Sequence, residues 1–436
     1  MVSGNGVSEN TTRAVHAIWT FPGVVFASFL IAWAAESAQF FVSQALSLAI
    51  LAWLQTLPEF AVEAVIAWEQ NVPLLTANFT GSLRLLVGVG WPLIYFTAAV
   101  SAKNRQMRAL RAELARCKTG TGDVNGSETT AGRDGRAPES GSASEPRGVS
   151  QRAFFDPIHL EKEHAVEVMG LIPPLLYFWV ILLKGTLNMI DSVFLIMSYV
   201  AYLIVAKNLP AKEDDGTHEL PRVTKKVLCL CGWKRSVSIL LLFLAGGAGI
   251  MFIARPFLHS MLGLATALGV SQFVFVQWVA PFLSEFPEKV SAFYWARTVR
   301  KAPMAFMNMV SSNINQWTIL VAMIPIVYSL SCGGYSTIVF DAHQKTEILL
   351  TMAQSILGFL LLANMEFRAF EAGGLFCLWL VQFMRPELRE EITVIYFAWV
   401  ALELIMAATG KRKMEAFREF REQWKRHSLG KGLVSR

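Results

Sequence analysis

The stretch LSEFPEKVSAFY, residues 283–294, places two glutamates, a lysine and a proline in a segment otherwise apolar enough for hydrocarbon. Far upstream, LQTLPEFAVEAV, residues 54–65, repeats the pattern, with a proline and then a glutamate in the same order. The chain has 436 residues, of which 54% are hydrophobic and only 17% charged. That apolar share exceeds what a soluble globular chain carries and reads as a membrane protein. A hydrocarbon core of about 30 Å needs roughly 20 helical residues to cross it. With no water to satisfy backbone groups there, the spans are helices.

Apolar runs of adequate length fall at 17–36, 41–68, 73–100, 164–185, 187–206, 235–257, 267–297, 303–330, 345–364, 366–384 and 391–409. They give eleven crossings, grouped as five, five and one. The first run follows no basic segment and reads as a retained span rather than a signal peptide. The resulting division is 1–100 with the first repeat, a basic and disordered cytoplasmic loop at 101–163, spans at 164–206, a cytoplasmic loop at 207–234, a second five-span unit at 235–384, an extra span at 385–409, and a basic tail at 410–436. Within the first loop, KNRQMRALRAELARCK extends a helix out of the membrane, whereas the Gly/Ser/Thr-rich stretch 119–150 lacks the apolar content to order itself.

Basic clusters at this loop, at Lys225, Lys226, Lys234 and Arg235, at Arg297, Arg300 and Lys301, and from Lys411 onward all fall on one face of an eleven-span chain. The positive-inside rule makes that face cytoplasmic, with the N-terminus outside and the C-terminus inside. The expected location is a bacterial inner (plasma) membrane. Met414, Phe417, Phe420 and Trp424 form an apolar stripe along the tail, which suits either a helix lying on anionic lipid or one docked on the cytoplasmic loops. The five cysteines show no paired zinc spacing and read as isolated thiols.

Aligned, Pro58-Glu59 is followed by Asn78 and then Gly81-Ser82, and Pro287-Glu288 by Asn308 and then Ser311-Ser312-Asn313. A single Pro-Glu in an apolar helix is an ordinary kink with a hydrogen-bonded acid; two copies with matched Asn and Ser downstream are a duplication. The glutamates lie on the second and seventh spans, so the copies have opposite topology and meet near the bilayer midplane. Each proline lacks the amide that would bond four residues back, which frees the carbonyls of Leu54 and Leu283. These oxygens join Glu59, Glu288, Thr56, Ser284, Ser82, Ser312, Asn78 and Asn308 in a set of hard donors suited to calcium or sodium, and Glu285, Asn313 and Gln316 complete the candidate set. A lone mid-membrane carboxylate costs roughly 2.5–3.5 kcal/mol, and a bound cation or proton offsets it.

At these residues the chain resembles the cation/calcium exchanger superfamily, most closely the sodium/calcium exchanger membrane region with its two alpha repeats. The resemblance rests on LQTLPE with ANFTGSLRLL and on LSEFPE with MNMVSSNINQ, and extends through ALGVSQFVFVQWVAPF ahead of the second repeat. It implies an all-α polytopic fold of inverted five-helix repeats, in which Glu59 and Glu288 are the central metal-binding carboxylates, Thr56, Ser284, Ser82 and Ser312 flank them, and Gln316 takes an Asn or Asp position. The family fold has ten helices, which makes the span at 391–409 an addition. Gln55 stands where the family has threonine, Glu285 where it has serine, and Leu86 in place of a polar ligand.

Arg84, two residues after Ser82, admits three readings: a guanidinium paired away from the site, a tethered cation balancing Glu285 or Glu59, or a residue that abolishes transport. Glu63, one turn after Glu59, either lines an outer access path or pairs near the outer interface. Lys289 points about 100° away from Glu288, which suits packing or a counter-ion role.

The implied function is secondary cation antiport, calcium or a related cation against sodium or protons, by alternating access. The alternative is a sensor or scaffold that binds a cation without moving it. The partners are the lipid bilayer and inorganic cations; no cofactor and no nucleic acid is expected, and oligomeric state is left open. Enzymatic chemistry has little support, because the seven histidines lie mainly in loops or near span ends. No nucleotide-binding loop supports an ATP-driven pump.

Overall fold

A computed structural model describes residues 13–38, 53–119, 156–207 and 222–433. The expected disorder at 120–150, residues 208–221 of the loop at 207–234 and the start of the span at 41–68 lie outside the described residues. The first half comprises α1 (Ala17–Ala38), α2 (Leu57–Trp68), α3 (Val72–Leu85), a π-helical turn (Leu86–Gly90), α4 (Trp91–Thr119), α5 (Ala165–Gly170), α6 (Ile172–Lys184) and α7 (Met189–Lys207). A short α8 (Arg222–Leu228) leads to the second half: α9 (Trp233–Ala267), α10 (Gln272–Ser284), α11 (Phe286–Ala296), α12 (Ala302–Asn315), a second π-helical turn (Gln316–Leu320), α13 (Val321–Ser331), α14 (Ala342–Leu362) and α15 (Ala369–Met384). Then come α16 (Arg389–Ala408) and α17 (Glu415–Leu433).

Eight of the described helical segments are long and apolar enough to cross a membrane. The helix at 235–257 is longer than expected and runs on to Ala267. The run at 267–297 is two helices, because Glu285 interrupts it before Pro287. The matching interruption falls at Thr56, before Pro58. In both places the proline occupies the first turn of the following helix, where a missing amide hydrogen costs nothing.

One displacement relates Val72 to Ala302, Asn78 to Asn308, Ser82 to Ser312, Leu86 to Gln316 and Trp91 to Val321, so the repeats share their helix starts, their polar residues and even their π-turns. Each π-turn inserts an extra residue that re-aims the side chains beyond it. Two-residue strands tie the halves together at opposite ends: β1 (Ile158–His159) pairs with β4 (Glu366–Phe367), and β2 (Thr186–Leu187) with β3 (Ile338–Val339).

Cross-contacts sort the connections onto two faces. Arg105 donates to the Arg297 carbonyl at 3.3 Å on one face. On the other, Gln70 donates to Ser331 at 3.2 Å. The tail helix docks on the first of these faces: the Ala416 amide bonds to the Ala363 carbonyl, and Lys162 pairs with Glu419 at 3.4 Å. Of the two placements the tail stripe allowed, docking on the loops is the one observed, with Phe417 against Phe359.

Helices α3 and α12 sit innermost. From Leu74 to Leu85 every residue of α3 is buried, polar ones included, so no side of it meets lipid. Gly81 allows this packing: a Cβ there would lie 1.8 Å from the Gln277 carbonyl oxygen of α10, a backbone atom that cannot swing aside. Gly81→Ala is therefore expected to push α3 and α10 apart at a cost of about 1–3 kcal/mol. A thermal melt of the purified variant would check it, and an unchanged midpoint would refute the close approach.

Candidate carboxylate site between the repeats

Glu59 and Glu288 each occupy the first turn of a helix that starts inside the protein, α2 and α11, and each is 1% exposed. The positive end of the helix dipole favours a negative charge there, which partly offsets its loss of water. Ser312 of α12 donates to Glu288 Oε1. Gln316, the first residue of the second π-turn, donates through Nε2 to Glu59 Oε2 at 2.8 Å and to Glu285 Oε1 at 2.8 Å. Ser82 of α3 also donates to Glu285, and Lys289 forms an ion pair with it. A second-repeat amide thus reaches the first-repeat acid, and a first-repeat hydroxyl reaches across to Glu285. Glu285 interacts electrostatically with both Glu59 and Glu288 and links the two halves.

The remaining candidates arrange around this centre. Asn308 donates to Gln55 at 3.1 Å, and Asn78 donates to Glu63, which is fully buried. Thr56 and Ser284 donate back to the carbonyls of Trp53, at 2.9 Å, and Ala280, at 3.0 Å, so only their oxygen lone pairs are left to face a ligand. Glu59 Oε1, Glu63 Oε1, Glu288 Oε2, Gln316 Oε1 and the side-chain oxygens of Asn78, Asn308 and Asn313 are buried without a hydrogen-bond partner. A buried oxygen left unpaired costs about 1–3 kcal/mol. The unpaired oxygens outnumber the unpaired amide nitrogens of Gln55, Asn313 and Asn315, and the carboxylate oxygens among them suit a hard cation or protons.

Arg84 and Glu63 each had more than one reading. Arg84 is buried but does not face Glu285 or Glu59. Its Nη2 pairs with Glu347 at 2.5 Å, Nη1 donates to Gln382 at 3.2 Å, Nε donates to the Thr80 carbonyl at 3.2 Å, and the guanidinium stacks 5.1 Å from the Trp278 ring. Glu347 also receives Gln277 at 2.9 Å and an ion pair from Arg389 of the additional helix α16. The geometry is thus the first of the three alternatives, pairing away from the site. The counter-ion of Glu285 is Lys289. Glu63 is fully buried and paired, with Asn78 as its donor.

Sequence reading missed Glu36, Gln277 and Glu347. Glu36, on α1, is buried and accepts from Ser291 at 2.7 Å and Thr224 at 3.0 Å. An acid near the end of the first apolar run was the available signal. Glu347 had none, because it lies in the first turns of a span where an exposed acid is ordinary. Of the two roles open to Lys289, the counter-ion is the one observed, its partner being Glu285 four residues earlier.

Among proteins of known family, the profile described as sodium/calcium exchanger protein matches residues 14–115 and 238–384. These segments contain both glutamate helices and both innermost helices. No curated protein sequence matches the chain. The crystal structure of an H+/Ca2+ exchanger, CAX, is similar at 30% identity and a TM-score of 0.75, covering 95% of this chain and 92% of that one. A sodium-calcium exchanger, NCX_Mj, soaked with sodium and strontium, shares the fold at 15% identity and a TM-score of 0.51, covering 87% of this chain and 99% of that one. This chain is accordingly a membrane transporter rather than an enzyme, built on the cation/calcium antiporter fold, and it belongs to the sodium/calcium exchanger protein family.

Proposed function

We propose that this antiporter exchanges one calcium ion for two protons at the site formed by Glu59 and Glu288. The observation that carries this reading is the Glu285–Lys289 ion pair. It offsets the charge of Glu285, and among the described residues neither Glu59 nor Glu288 forms an ion pair of its own. One divalent cation neutralises both, and so do two protons.

With Glu63 protonated against Asn78 throughout, the calcium-loaded and the doubly protonated centre both carry no net charge. A half-loaded centre would carry an uncompensated buried charge, which is costly and disfavours movement of the helices while it is half empty. That bias is what couples the two flows. The resident ammonium also repels further cations at close range, which weighs against a site that collects several sodium ions. Ser312 and Gln316 hold the carboxylates in place, and the free oxygens of Asn78, Asn308 and Asn313 replace water around the incoming cation. Glu63, one turn along α2, is the next group that a proton leaving Glu59 meets. Similarity to an H+/Ca2+ exchanger over nearly the whole chain supports the same reading.

The domain division read from the sequence and the cytoplasmic placement of the basic face are part of this proposal. Purified protein in proteoliposomes with an acidic lumen is expected to take up calcium when the pH gradient is imposed, with no response to a sodium gradient of equal size. Uptake driven by sodium but not by pH would overturn proton coupling. Calcium binding with no gradient-driven movement would instead identify a sensor.

A further inference from the structure

Where α4 passes from apolar to polar residues, at Ser101, a cavity of about 630 Å³ opens between this helix and the end of α11. Three guanidiniums line it: Arg105 and Arg108 from α4, and Arg297 at the end of α11. Its other walls mix the polar Thr97, Ser101 and Asn104 with the apolar Phe96, Val100 and Phe293, of which Val100 and Phe293 are 48% and 39% exposed. Arg105 donates to the Arg297 carbonyl, and the Arg297 guanidinium lies 5.8 Å above the Phe293 ring. Among the described residues none of the three arginines has an acidic partner. Three like charges therefore line one cavity with no carboxylate against them among the described residues.

We propose that this cavity binds the phosphodiester headgroup of an anionic phospholipid, with the start of its acyl chains along Phe96, Val100 and Phe293. Guanidiniums recognise phosphate oxygens through paired, charge-assisted hydrogen bonds. Basic pockets between spanning helices, at the level where chains turn polar, suit anionic headgroups. A free phosphate would use the arginines but leave the apolar wall uncovered. A lipid covers both. The two walls come from different repeats, and α11 carries Glu288 in its first turn and Arg297 at its end. A headgroup bridging α4 and α11 therefore ties a first-repeat helix to the end of a helix that bears a site carboxylate, and lipid composition should set the rate of exchange.

The test is titration of the purified full chain, in a neutral detergent, with phosphatidylglycerol, phosphatidylcholine or inorganic phosphate, read by native mass spectrometry. Phosphatidylglycerol is expected to bind at least tenfold more tightly than phosphatidylcholine. Arg105→Gln with Arg108→Gln, both at exposed positions, should remove that preference, as should Arg297→Gln alone. Lys226→Gln with Lys234→Gln, which removes equal charge from the same face, should keep it. Equal binding of the two lipids, or a preference that survives the arginine variants, overturns the proposal. Inorganic phosphate competing fully at equal concentration would mark a free-anion site and overturn the lipid assignment.

Discussion

Glu288→Gln is expected to lower calcium uptake by at least about a hundredfold while leaving the protein folded. Gln keeps the shape and still accepts from Ser312, but removes one of the two charges that a divalent cation would neutralise. Losing one member of a buried charged contact costs about 3 kcal/mol, which is roughly a hundredfold in affinity. Glu59→Gln should do the same, because Glu59 occupies the equivalent first turn and shares Gln316 with the rest of the centre. Glu63→Gln should cost much less, since Glu63 is already held by Asn78 one turn away from the shared centre. Isothermal titration with calcium, paired with uptake into proteoliposomes, separates binding from movement. Transport by Glu288→Gln at the parental rate would remove the carboxylate pair from the mechanism.

Glu347→Gln is expected to destabilise the protein by about 3–5 kcal/mol, the usual cost of removing one partner of a buried ion pair. Glu347 is fully buried between Arg84 and Arg389, so its loss leaves two guanidiniums facing a neutral amide. Arg84→Met should cost less, because Glu347 keeps Arg389 and Gln277 and the methionine still covers Trp278. Neither change should alter the number of protons exchanged per calcium, as neither group faces Glu59 or Glu285. Thermal melts alongside paired calcium and proton flux measurements on reconstituted protein check both halves. If Arg84→Met changed the proton-to-calcium ratio without lowering the melting midpoint, the arginine would belong to the ion site after all.

The same cluster gives α16 a role. Arg389, at its first residue, reaches Glu347, so the helix beyond the two five-span repeats is fastened to the centre of the second repeat and to α3 through Arg84. A buried network of this kind fixes register more than it adds stability, because desolvation offsets most of its Coulomb energy.

The sequence by itself determined the membrane class, the duplication, the two Pro-Glu helix starts and the acids that could meet. These follow from composition and from local rules: apolar length sets a span, a proline sets where a helix can begin, and matched spacing reveals a repeat. Only the tertiary structure decided which cation answers which acid. Helical periodicity places Arg84 and Lys289 on faces of their own helices, but not which neighbour each face meets. Those contacts depend on how the helices are rotated and spaced, which Gly81 and the two π-turns set. Through that packing Arg84 turns toward Glu347, and Lys289 pairs with Glu285.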